Sequence, residues 1–150
     1  MSNISSKLPT VARLALGLSF FVFGLNGFLH FLPQPSMSGP PADFAAALFA
    51  TGYMFPLIKG TEVIASLLLL SNRYVPLALA VLAPVLVNIV AFHAFLAPAG
   101  LALPIILLAL ELYLARSYRD AFASMLHART EPHSNAPASG RGRQVPAHVS

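Results

Sequence analysis

The sequence predicts an all-α membrane protein: a four-transmembrane-helix bundle with both termini cytoplasmic and a short interfacial helix between helices 1 and 2. Three observations carry that expectation. Of 150 residues, 57% are apolar and only 9% are Asp, Glu, Lys or Arg, against about 45–50% and about 25% in an average soluble domain. The mean hydropathy is +0.73. Four apolar stretches follow one another, each close to the ~20 residues that cross a ~30 Å hydrocarbon core. A soluble chain of this size has a large surface for its volume, and fourteen charged side chains do not cover it. The apolar excess therefore faces lipid, which excludes an ordinary soluble enzyme and a nucleic-acid-binding module. The chain has no cysteine, which removes disulfides, thiolate metal sites, iron–sulfur clusters and CxxC redox chemistry.

A cytoplasmic segment, residues 1–9, precedes the first stretch at 10–32. A cleaved signal peptide is the rival reading of this stretch, but Asn26 and His30 interrupt the place where a small-residue cleavage site belongs. The link 33–52 is loop-like as far as Pro41 and then apolar from Phe44 to Phe49. That run is too short to span, and Asp43 suits the first turn of an interfacial helix. The remaining stretches are 53–71, 74–96 and 101–118, joined by tight links that make consecutive helices antiparallel. Strands are excluded because runs such as 67–70 and 105–110 do not alternate. Pro9, Pro56, Pro76 and Pro104 fall at or near helix starts, where a missing N–H costs least. Pro84 lies inside the third stretch and predicts a kink with a released carbonyl at Ala80. The transmembrane domain is thus 10–119, and 120–150, rich in Ser, Pro, Gly, His and Arg, reads as a disordered cytoplasmic tail.

Lys7, Arg13, Arg73, Arg116 and Arg119 all fall at one end of this scheme, whereas the first and third links carry no Lys or Arg. The positive-inside rule makes that end cytoplasmic. The net charge of +4 therefore concerns orientation, and no nucleic-acid partner follows from it.

Ionisable and amide groups inside a membrane are expensive and usually face a cavity or one another. Here they are Asn26, His30, Lys59, Glu62, Asn88, His93 and Glu111. Helical rise places Lys59 and Glu62 about 9 and 14 Å below the outer boundary. Asn26, His30, Asn88 and His93 come out in the same outer half, with Glu111 near the midplane. Ser19, Phe23, Asn26 and His30 share one helical stripe, and Lys59, Glu62 and Ser66 share another. Each residue also has a purely structural reading. Lys59 and Glu62, three apart, form an intrahelical ion pair that eases insertion. Asn26 and Asn88 join helices by hydrogen bonds, and Gly17, Gly24 and Gly27 allow close packing. His93 reaches the outer interface. Two deep carboxylates meet one deep Lys, however. The surplus acid must be protonated, paired with a His, or neutralised by Arg116. Such a group is a candidate for ligand binding or proton transfer.

Residues 23–31, Phe-Gly-Leu-Asn-Gly-Phe-Leu-His-Phe, resemble the first-helix signature of the DoxX-like family of small bacterial membrane proteins. So do Gly52-Tyr53, the run 56–63 around Lys59 and Glu62, the run 82–89 around Pro84 and Asn88, and the closing 110–113 with Glu111. The resemblance covers residues 12–122. It implies a four-helix bundle in the bacterial inner membrane. It also implies association with quinone-linked oxidation of sulfur compounds and with membrane oxidoreductase complexes, while more distant relatives assist membrane-protein assembly.

The leading functional expectation is a redox-associated subunit with an outer-half pocket for a quinone or similar small molecule. Asn26, His30, Lys59 and Asn88 would donate hydrogen bonds, and Glu62 or Glu111 would carry a proton. No residue is assigned a catalytic role, and enzymatic activity is left open. His30 and His93 are sparse ligands for haem or copper, and no metal is expected. The alternatives are a non-enzymatic assembly or interaction partner, docking through the glycine-rich first helix, and a small proton-coupled carrier. The expected partners are the lipid bilayer and either an oxidoreductase complex or a second copy in a homo-dimer.

Overall fold

The computed structural model describes residues 2–33 and 36–123. These form α1 (Ser2–Leu29), α2 (Pro40–Ala50), α3 (Met54–Leu70), α4 (Val75–Phe95), α5 (Ala102–Ser117) and α6 (Arg119–Ala123). A 3-10 turn at Pro98–Gly100 joins α4 to α5, and the described residues contain no strand. The four long helices close a ring in which α1 and α4 each pack against both α3 and α5. The protein is an all-helical membrane protein. Lys7–Leu29 of α1 and Val75–Phe95 of α4 are each long and apolar enough to cross a bilayer. The joined pair α2–α3 is apolar enough too, but it is bent by 91°.

The α1–α3 pair is antiparallel and unusually close. A Cβ on Gly17 would meet Leu69 and Leu70 at 3.1–3.2 Å, one on Gly24 would meet Val63 at 2.9 Å, and one on Gly27 would meet Lys59 at 2.5 Å. Apolar burial drives little association inside lipid, so small residues that let backbones approach supply the contact. Leu16, Phe20, Leu69, Leu79, Leu82, Leu86 and Leu114 fill the space within the ring. Leu18, Ile64, Leu77, Ile106 and Leu112 point outward and are exposed, as a lipid-facing surface requires.

Arg13 turns into the bundle. Only 7% exposed, it donates to the carbonyl oxygens of Leu69 and, at 3.3 Å, Leu70. These are carbonyls of the last turn of α3, where Leu69 O also accepts from Asn72 N–H at 3.1 Å, and a cation there meets the negative end of the helix dipole. Lys7, Arg73, Arg116 and Arg119 lie at this same end of the ring, as the antiparallel order dictates.

The expected interfacial helix is α2. Pro40 and Pro41 occupy its first two positions and Asp43 its first turn, where a missing N–H and a negative charge are both tolerated. Gly39 (φ 67°) and Gly52 (φ 74°) bracket it in left-handed conformations that favour glycine. Phe49 stacks on Phe55 of α3 at 4.1 Å and Phe44 meets Phe92 of α4 at 5.4 Å, so aromatic contacts fasten α2 across the end of the ring.

Two boundaries differ from those read in the sequence. Helix α1 starts at Ser2 and takes Pro9 into its interior. The loss is a single backbone bond within the first turns. Residues 120–123 belong to α6, while 124–150 of the expected tail lie outside the described residues.

Candidate functional site

The end of the ring opposite Arg13 holds the polar residues of α3 and α4. Lys59 Nζ donates to both carboxylate oxygens of Glu62, at 3.0 and 2.8 Å. Helical spacing of three makes this contact possible. Glu62 is 1% exposed, and an unpaired carboxylate there would be costly. Gly27 is why the pair can form here: without a Cβ, it leaves room for the Lys59 stem to lie across α1. The ammonium also stands 6.0 Å over the Phe55 ring, the outer reach of a cation–π contact. Two of its three N–H bonds serve Glu62, which leaves one for another acceptor.

This pair forms a wall shared by two cavities. The larger, about 320 Å³, lies within the ring and is lined by Phe20, Phe23, Lys59, Glu62, His93 and Leu107 among others. The smaller, about 180 Å³, lies under α2 and is lined by Phe44, Leu48, Lys59, Glu62, Asn88 and His93 among others. His93 Nδ1 lies 2.8 Å from the carbonyl oxygen of Ile89. A carbonyl only accepts, so the neutral ring carries its proton on Nδ1 and keeps Nε2 as an acceptor. Gly100 makes room for that edge of the ring: a Cβ there would fall 2.7 Å from Cδ2 and 3.1 Å from Nε2. The larger cavity thus offers one cationic donor and one imidazole acceptor between apolar and aromatic walls. That donor and acceptor set suits a small molecule with a carbonyl or hydroxyl oxygen.

The six sequence-predicted residues fall into three groups. Lys59, Glu62 and Asn88 come together at the smaller cavity, although Asn88 is exposed. Asn26 and His30 instead finish α1. His30 is exposed with φ 51°, and its N–H donates to the Asn26 carbonyl at 2.9 Å. The Asn26 side-chain oxygen accepts from Leu32 N–H at 2.7 Å. This is a side chain doing what a C-terminal glycine motif does, satisfying backbone groups where the helix stops. Glu111 lines a third cavity between α4 and α5. It is 5% exposed, with no hydrogen-bond partner for either carboxylate oxygen among the described residues. Arg116 is exposed and makes no ion pair with it.

Sequence reasoning placed His93 at the interface, whereas it lines both cavities beside the Lys59–Glu62 pair. It stands five residues after Asn88, about 140° round the helix. The cavities wrap around α4 far enough to touch both. Phe20, Phe23 and Gly100, none of them singled out in the sequence as a site residue, also line the larger cavity. His30 lines neither cavity that His93 lines, and among the described residues no three His, Asp or Glu side chains converge.

A model of the DoxX family matches residues 8–96 of the chain. No curated protein and no solved structure matches it. The matched segment runs from Leu8 within α1 to the end of α4, and includes both cavities' polar residues.

Proposed function

From the premise that the chain belongs to the DoxX family, we propose that it is a redox-associated membrane subunit that binds a quinone or similar small molecule beside Lys59 and Glu62. In this reading all four long helices span the bacterial inner membrane, both termini are cytoplasmic, and the site lies in the outer half. The observation that carries it is the ion pair of half-buried Lys59 with buried Glu62 in the wall of a cavity of about 320 Å³ that His93 also lines. Pockets for small molecules commonly start near ~300 Å³ and combine apolar walls with a few aimed polar groups. A bound quinone would supply two-electron redox chemistry.

The protein's own residues have distinct parts. Lys59 holds one ligand oxygen with its free N–H, and Glu62 keeps that ammonium charged and in place. His93 accepts a hydroxyl proton at Nε2, with Nδ1–H anchored on Ile89. Phe20 and Phe23 bear on the ring and help to keep water out. Asn88 lies on the α2 side of the pair, where a second ligand oxygen or a substituent would emerge.

The docking alternative rested on the glycines of the first helix. Gly17, Gly24 and Gly27 are all occupied in packing against α3, so none presents a free face to a partner.

The test is analysis of the lipid extract of protein purified in mild detergent from quinone-containing membranes. We expect quinone in stoichiometric amount with the wild-type chain and at least a tenfold reduction in Lys59→Met. Absence of quinone from wild-type protein, or equal amounts in both, would overturn the proposal.

A further inference from the structure

The cavity that contains Glu111 is separate from the Lys59–Glu62 site and has an opposite chemical character. It measures about 200 Å³ and lies between α4 and α5, with Phe122 of α6 contributing to its wall. Apart from Glu111, its lining is entirely apolar, including Leu79, Ala83, Leu108 and Leu112. Ala83, Val87 and Leu112 are exposed on the ring's outer surface, so the cavity opens sideways toward lipid.

The one polar side chain in this lining is an acceptor, the Glu111 carboxyl, more than nine-tenths buried and unpartnered among the described residues. A second acceptor belongs to a lining residue, Ala80: Pro84 lies inside α4, and having no N–H it leaves the Ala80 carbonyl without its i+4 donor. A buried carboxylate without counter-charge is strongly unfavourable in lipid, so the acid keeps its proton until a cation pairs with it. Water would bring donors but no charge. A hard metal ion needs about six oxygen ligands, twice what these two groups present. A primary ammonium brings one positive charge and three N–H donors, and an apolar body attached to it would occupy the remaining wall.

We propose that the α4–α5 cavity is a second binding site, for a small primary amine with an apolar body that enters from the bilayer. Its ammonium pairs with Glu111 and donates to the Ala80 carbonyl, and its apolar part lies against Ala83, Leu108 and Leu112.

The test is thermal unfolding of the full chain in mild detergent with 2-phenylethylamine, 2-phenylethanol, or the trimethylated quaternary analogue of the amine. Binding to the folded state raises Tm. We expect a rise of at least about 2 °C with the primary amine, and less than half of that with the other two. The rise should vanish in Glu111→Gln, a change of nearly equal shape. It should vanish also in Ala83→Leu, which fills the cavity and leaves the carboxyl in place, so the test survives if either variant fails to fold. Equal shifts for amine and alcohol, a shift that persists in Glu111→Gln or in a folded Ala83→Leu, or no shift with the amine, would overturn the proposal.

Discussion

Arg13 shows how a single side chain can hold several meanings. In the sequence it is one of five cationic residues expected at the cytoplasmic end. In the fold it is buried and bonded to the last carbonyls of α3. Hydrogen bonds from charged groups contribute about 1.5–3 kcal/mol. Arg13→Met should therefore lower stability by about 2 kcal/mol, read as a fall in the denaturation midpoint in detergent, with orientation unchanged. His30 makes the opposite case. It occupies a left-handed conformation that costs a non-glycine residue about 1–2 kcal/mol. His30→Gly should stabilise the protein by about 1 kcal/mol in the same assay and leave quinone content untouched. A loss of quinone in His30→Gly would instead return His30 to the site. That Asn26 and His30 finish a helix was not legible, because capping and ligand binding call for the same polar groups near a helix end. The Lys59–Glu62 contact was legible, because a spacing of three fixes it within one helix, whatever the tertiary fold.

At the level of elements, α1 and α3 are matched through three glycines, and the three should not respond alike to added volume. A Cβ on Gly17 meets only leucine side chains, at 3.1–3.2 Å, which yield by a few tenths of an ångström. A Cβ on Gly27 would overlap the Lys59 stem at Cγ and Cδ, at 2.5 and 2.6 Å, and must turn Lys59 away from Glu62. Gly17→Ala is expected to cost under about 1 kcal/mol. Gly27→Ala should cost about 1–3 kcal/mol and reduce quinone content several-fold. Unfolding midpoints and lipid extracts of both variants check this. Helix positions were largely legible from hydropathy, and α2 from its proline–aspartate start before an apolar run. The cavities were not, since they depend on how far α4 and the aromatic side chains turn around their axes, and a small error in that rotation moves a residue from wall to exterior.

For the molecule as a whole, every Lys and Arg named in the sequence as an orientation marker sits at one end of the ring, and the Lys59 cavities sit toward the other. A reporter fused after Ser150 should therefore read cytoplasmic, and one inserted near Ser38 external. Either result reversed would place the Lys59 cavities in the inner half instead. The ring also has corners of unequal height. The apolar part of α1 has 23 residues, α4 has 21, α3 has 17 and α5 has 16, or about 35, 32, 26 and 24 Å at 1.5 Å per residue. The tall helices stand diagonally opposite, as do the short ones, so the apolar belt rises and falls twice around the circumference. If α3 and α5 cross the bilayer as proposed, the lipid beside them thins to meet that belt, at a cost that grows with each ångström of mismatch. The unfolding midpoint should accordingly be higher in bilayers of short-chain than of long-chain phosphatidylcholine. The same thinning would bring the headgroup region closer to Lys59, giving a ligand in the bilayer a shorter path to the cavity along α3 than along either tall helix.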